Sequence, residues 1–457
     1  MFSIINPKKI NSFYGIKEQL IFKQLITHPI FYFGLGLKIF LIISLIPNIQ
    51  KIWFIPFISG LSNEIYIDPW TNFLDNQGDI LAFPYGIVMY LTYKFFALFG
   101  YQLDQLFNSD FFVGFSLRFS SLLFDFGTLL GVGFLAKKYS LKTLLIFYWC
   151  SPIVIYINYW HGQLDILPVF LLITCISMMH VEEPFISGIF MGLAILAKSS
   201  MLIALPFLII FYLKNKRFIK KLKFFLIPIG LLLSANILIY FNSSGFYEMV
   251  INSPESKKLF FLDVNYGDEL SLFILPTVFL IIIYIFWRLQ KINLELLCVS
   301  IGIGFFSILI FLPPSPGWFL WVVPFITLFQ IKSSENQFLS SIPFYFFFII
   351  YYFLYATGAN SEFLNFDLSQ PLKYNLLFNN NIVGSIIFTG LQISGLIIII
   401  KMYQFGILRN NYYAAIENKL KVGFTGNQNN IVENTIESIK KILINEWIVN
   451  LSTEKYR

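Results

Sequence analysis

The chain has 457 residues, 57% apolar and 12% charged, with a formal charge of +7 and a mean hydropathy of +0.71. This balance excludes a soluble globular enzyme, a disordered chain and a disulfide-stapled secreted module, and predicts a single all-α polytopic membrane domain. The positive charge sits in short basic segments beside apolar runs, so it reports orientation and anionic headgroups rather than nucleic acid.

Residues 1–29 carry Lys8, Lys9, Lys17 and Lys23 against the single acid Glu18, which predicts a cytoplasmic N-terminal segment. No cleavable leader is expected, and the first apolar run, 30–47, reads as a retained anchor. A hydrocarbon core about 30 Å thick takes roughly 20 apolar residues per helix. By that measure the transmembrane domain, 30–401, holds roughly 11 to 13 helices. An outer loop, 48–84, follows the first span, and Tyr85–Gly100 is apolar but interrupted by Lys94. Further spans are expected near 111–135, 141–159, 164–180, a pair within 185–213, 224–241, 270–288, 294–312, 318–331, 340–356 and 382–401. Lys214–Lys223 is the strongest cytoplasmic signal. If Tyr85–Gly100 lies at the interface without crossing, every basic cluster falls inside and residues 160–165 share the outer side with the 48–84 loop. That is the arrangement expected. The other outer loops are then 242–269, 313–318 and 357–381.

The tail, 402–457, reads as cytoplasmic, and both termini are placed there; in a bacterium the membrane would be the inner one. Leu420–Gly426 resembles the opening of a P-loop but lacks the Gly-Lys-[Ser/Thr] that holds phosphate, so it reads as a degenerate remnant or a plain surface tail. Cys150, Cys175 and Cys298 lie in or beside apolar runs without metal-ligand spacing and read as small buried hydrophobes.

Chemistry concentrates in four places. The outer loop holds Glu64, Asp68, Asp75 and Asp79 among the breakers Pro69, Gly78, Pro84 and Gly86. A carboxylate held rigid in a structured loop can act as general base on a hydroxyl, and Asp68 is best placed, with Pro69 and Trp70 restricting the backbone and supplying an interfacial ring. Glu64, four residues earlier, is its candidate neighbour, whereas Asp75 and Asp79 read as capping or loop-binding acids. The second place is Asn158–Asp165, with His161, Gln163 and Asp165; ionisable groups at a membrane edge are costly and point to function, the plain alternative being His161 hydrogen-bonded to Asp165. Third, Gly188 and Gly192 form a small-xxx-small face, and Lys198 stands at the break between two apolar runs, there to snorkel or to hold a phosphate. On the 111–135 span, Arg118 is a second candidate cation or a simple partner of Asp125. Fourth, Pro313–Pro324, with Trp318, is a rigid aromatic loop suited to an isoprenoid or sugar cleft or to an aromatic belt.

These pieces, in this order, resemble the GT-C superfamily of integral-membrane glycosyltransferases, most of all the mannosyltransferase-like branch that uses polyprenyl-phosphate sugars. The resemblance rests on Asp68-Pro-Trp, Trp160–Asp165, Gly192–Lys198 and the Gly317-Trp318 loop, between residues 30 and about 330. It implies a GT-C-like helical bundle with a structured first extracytoplasmic loop. It also implies inverting transfer of a hexose, such as mannose, from a polyprenyl-phosphate donor to the hydroxyl of a lipid-linked or glycan acceptor outside the cytoplasm. Asp68, with Glu64 and His161, would be catalytic, and Gln163, Asp165, Lys198, Arg118, Trp70 and Trp318 would bind substrate. Tyr66 stands two before Asp68, so the acidic pair of a metal-assisted mode is absent; transfer without a cofactor is favoured, with a divalent ion left open. A polyprenyl phosphate leaves as a stable anion and needs cations rather than a strong acid. The competing classes are a transporter or lipid flippase, which usually carries repeated halves, and a non-catalytic member of an envelope-polysaccharide assembly.

Overall fold

The computed structural model describes residues 23–59, 68–136, 141–267, 270–289, 292–312, 314–332, 339–355, 361–363, 366–367 and 381–408. Glu64, Tyr66 and the P-loop-like stretch of the tail lie outside the described residues. Helix α1 (Pro29–Ser44) starts with Pro at its first position, where a missing N–H costs nothing, and His28 caps it through Ile30 N. Three residues expected in the first span leave the helix as strand β1 (Leu45–Pro47). A wide turn (Gln50–Phe54), α2 (Ile55–Ser59) and α3 (Pro69–Asp75) then build the acidic loop. Helix α4 (Ile87–Phe107) runs on past Gly100, where the expected segment ended. There a Cβ would meet Val113 Cα at 2.7 Å, so the glycine serves close helix crossing and not termination.

Helices α5 (Phe112–Ala136), α6 (Leu141–His161, with internal wide turns), α7 (Ile166–His180) and α8 (Pro184–Ala197) follow. The chain breaks at Lys198, makes a 3₁₀ turn (Ser199–Ala204) and resumes as α9 (Leu205–Lys214). Helix α10 (Leu222–Asn242) packs on α8 where the small-xxx-small face predicts it, since a Cβ on Gly188 would meet Phe225 O and Pro228 Cγ. A short hairpin, β2 (Asp263–Tyr266) with β3 (Leu270–Phe273), leads into α11 (Ile274–Arg288) and α12 (Leu294–Phe311). A 3₁₀ turn (Pro316–Trp321), α13 (Val323–Lys332) and α14 (Ile342–Leu354) come next. Strands β4 (Ser361–Phe363) and β5 (Phe366–Asp367), helix α15 (Asn381–Lys401) and a wide turn (Met402–Leu408) complete the described chain. Strand β1 pairs antiparallel with β4, Leu45 opposite Phe363 and Pro47 opposite Ser361, which ties the start of the first loop to a segment more than 300 residues later.

Four helices, Phe112–Ala136, Leu141–His161, Leu294–Phe311 and Ile382–Ile407, are long and apolar enough to cross a membrane, and seven shorter apolar helices accompany them among the described residues. Large side chains such as Phe241 (75% exposed), Leu231 (66%) and Ile386 (63%) face outward, as a lipid-facing surface requires and a water-facing one does not. Inside, buried charged groups find an ion-pair or backbone partner. Lys38 Nζ meets Asp125 Oδ2 at 2.6 Å, Tyr159 Oη donates to the same oxygen at 2.6 Å, and the ammonium lies 3.2 Å from the centre of the Trp149 ring. Arg118 does not pair with Asp125: its Nε donates to Ile42 O at 2.9 Å, and Lys38 on α1 is the cation bonded to that carboxylate.

Candidate functional site

The polar side chains converge where α7 begins and α8 ends. Gly162 takes φ +78°, a left-handed turn that closes α6, and its carbonyl accepts from Gln50 Nε2 at 2.8 Å. That bond joins the first loop to the 158–165 stretch. Asp165, fully buried at the head of α7, accepts from three side chains: Lys198 Nζ at 2.5 Å, Tyr85 Oη at 2.8 Å and Trp321 Nε1 at 2.9 Å. Each donor arrives from a different segment. Tyr85 is brought in by Gly86, whose N–H donates to Ala197 O at 3.0 Å. Lys198 is delivered by the α8–α9 break, and Trp321 by the 3₁₀ turn after Pro316. Gly317 permits that last approach, since a Cβ there would stand 2.8 Å from Asp165 Oδ2. Burial and the adjacent carboxylate push the Tyr85 phenol well above its ordinary range, so it stays a donor.

Above this floor lies a cavity of about 400 Å³, within the size range of small-ligand sites. Lys198, Tyr85, Gln163, Ser200, Trp318 and Trp321 are on its wall, facing apolar residues that include Trp53, Ile203 and Leu259. Lys198 is 12% exposed and is the cation among the lining residues; its Nζ lies 4.7 Å from the Tyr85 ring centre and 5.2 Å from that of Trp321. Gln163 Nε2 donates to Ser315 Oγ at 2.6 Å. Gln163 Oε1 and Ser200 Oγ are buried with no hydrogen-bond partner among the described residues, so both can take a polar ligand. Leu202 lines this cavity and also an open apolar groove between α9 and α11, formed by Leu205, Ile209, Leu280, Ile283 and Trp287.

Several expected site residues lie elsewhere. Asp68 caps α3: its Oδ1 accepts from Thr71 N at 3.2 Å and from Ser243 Oγ at 2.6 Å, and it is not among the lining residues. Trp70 is fully buried against Phe246 and Phe57, so it is a core residue rather than an interfacial ring. His161 is buried and makes no bond to Asp165, whose oxygens are taken by the three donors; its Nδ1 has no partner among the described residues. Arg118 is in the core, not the cavity wall. Asp79 binds the loop together, accepting from Trp53 Nε1 and Leu81 N, and Asp75 is exposed at the end of α3. Among the described residues no three His, Cys, Asp or Glu side chains converge as a metal-holding group. Sequence reasoning passed over Tyr85 and Trp321; an aromatic in a loop carries no local sign of a partner that only the fold supplies.

Compared with family models, curated proteins and solved structures, the chain matches none.

Proposed function

We propose that the chain is a polytopic glycosyltransferase with a GT-C-like bundle, which moves a hexose from a polyprenyl-phosphate donor to an acceptor hydroxyl at the extracytoplasmic face. The observation that carries this reading is Lys198, a single cation on the wall of a cavity otherwise rich in apolar and aromatic side chains. A leaving polyprenyl phosphate needs a positioned positive charge and an apolar route for its chain. Lys198 supports the first need, and the groove reached through Leu202 supports the second. Asp165 keeps the ammonium aimed, and Ser200 Oγ adds a donor beside it.

Asp68 is the proposed general base, reached by an acceptor that enters from the α3 side, outside the cavity wall; it takes the acceptor proton as the acceptor oxygen bonds to the anomeric carbon and the phosphate departs with the bonding pair. Its anchor, Ser243, belongs to a segment that continues into Val250 and Ser253 on the cavity wall, so the loop and the cavity share one support. Asn caps helices as well as Asp does, so Asp68→Asn separates chemistry from folding. Purified protein given a panel of polyprenyl-phosphate hexoses and lipid-linked acceptors should glycosylate an acceptor, and Asp68→Asn should lose about 100-fold or more of that rate. Full activity in the variant would remove the base assignment. Lipid-phosphate binding with no transfer on any acceptor would favour a carrier instead.

A further inference from the structure

The cavity wall holds one carboxylate, Glu255. The short helix Pro254–Lys257 begins at Ser253, whose Oγ accepts from Ser256 N at 3.3 Å. Lys258 Nζ bonds both Glu255 oxygens, at 2.8 and 3.0 Å, and stands 5.8 Å from the centre of the Trp318 ring. Trp318 is stacked on Trp321 with ring centres 5.2 Å apart and planes 17° from parallel. Trp321 is pinned by its bond to Asp165, and Lys198 lies 5.2 Å from its ring centre. Successive contacts thus link Lys198, Trp321, Trp318, Lys258 and Glu255, and all of these but Lys258 line the cavity.

Both members of the Glu255–Lys258 pair are about a third exposed, at 34% and 30%, and such a pair contributes little to stability. Its position matters more than its strength. A saccharide offers C–H faces that lie on aromatic rings and hydroxyls that donate to carboxylates. One cavity wall thus carries a cation, a carboxylate and an indole pair, a set of groups that suits a sugar phosphate. Gln163 Oε1, buried without a partner among the described residues on the same wall, is a second acceptor for a hydroxyl.

We propose that Trp318 and Glu255 form a saccharide subsite, in which Glu255 accepts hydrogen bonds from hydroxyls of the sugar whose phosphate Lys198 holds. This rests on the polyprenyl-phosphate reading above and adds the residue that selects the sugar. Glu255 here sets specificity, and Lys258 fixes its carboxylate.

The test is binding of two probes to the full chain in detergent: farnesyl phosphate, and farnesyl phosphate bearing mannose or glucose. Glu255→Ala should weaken the sugar-bearing probe about tenfold or more while leaving farnesyl phosphate within about twofold. Glu255→Gln, which keeps an acceptor oxygen, should fall between, and Lys198→Ala should weaken both probes. Equal losses for both probes in Glu255→Ala, or no loss in either, would overturn the subsite. Wild-type protein that binds neither probe would bring down the polyprenyl-phosphate reading and this subsite together. Wild-type binding of farnesyl phosphate without discrimination by Glu255 would remove the subsite alone.

Discussion

Asp165 shows how one buried residue can organise the elements around a cavity. A buried carboxylate is costly unless its charge is paired and its lone pairs are filled, and Tyr85, Lys198 and Trp321 do both. Each donor arrives from a separate segment, so the same bonds that neutralise Asp165 hold the cavity floor together. Removing one partner of such a pair leaves an uncompensated charge, at a cost of about 3–5 kcal/mol, whereas replacing both with apolar groups can be close to neutral. Lys198→Met should therefore lower the thermal midpoint in detergent markedly, and Lys198→Met combined with Asp165→Leu should recover part of the loss. Additive losses in the double variant would show that the pair does not couple. Lys198 is legible in the sequence because a lysine between two apolar runs has to be explained. Its partner is not, since Asp165 lies 33 residues away and periodicity carries no record of pairings across helices. Lys38 was passed over for a related reason. A lysine within a long apolar run reads as tolerated until Asp125 is found opposite it.

Among the elements, the α8–α10 contact depends on glycine. A Cβ on Gly188 would meet the Phe225 carbonyl and stand 2.6 Å from Pro228 Cγ, and backbone cannot give way as a side chain can. Gly230, on the same α10, has nothing within 4 Å of its hypothetical Cβ. Gly188→Leu should thus separate the helices, seen as loss of a monodisperse peak and faster proteolysis. Gly230→Ala should be tolerated or stabilise slightly, since Ala is the better helix former by about 1 kcal/mol. Equal behaviour of the two variants would argue against the close approach. The spans were legible wherever apolar runs are long and bounded by polar residues: α5 and α12 end within a residue of the expected limits. Strand β1 was hidden because its apolar residues continue the α1 pattern, and only pairing with β4, far along the chain, makes it a strand. The end of α4 was misplaced for a different reason, since a glycine chosen for helix crossing looks in sequence like a glycine that stops a helix.

At the scale of the whole molecule, an apolar exterior surrounds an interior that is polar in two layers, the Lys38–Asp125–Tyr159 cluster and the Asp165 floor. Neither layer would survive facing lipid, so the helices must enclose both. The expected meeting of the acidic loop with the 158–165 stretch is made by Gln50 and Tyr85 rather than by Asp68 or His161. Ser199 and Lys216 flank the helical stretch Ser199–Lys214, which spans about 25 Å, and both are exposed. Asn76, also exposed, precedes Ile80 and Leu81, which line the same cavity as Ser199. If that cavity opens on the extracytoplasmic side, cysteines at Asn76 and Ser199 should react with an impermeant maleimide in intact cells. A cysteine at Lys216, in the basic 214–223 segment, should react only after permeabilisation. Cys175 and Cys298 are buried, so replacing half-buried Cys150 with Ser gives a clean background. Labelling of positions 76 and 216 from one side would sink the arrangement, and with it the claim that transfer occurs outside the cytoplasm, while leaving the cavity and its lysine as they are.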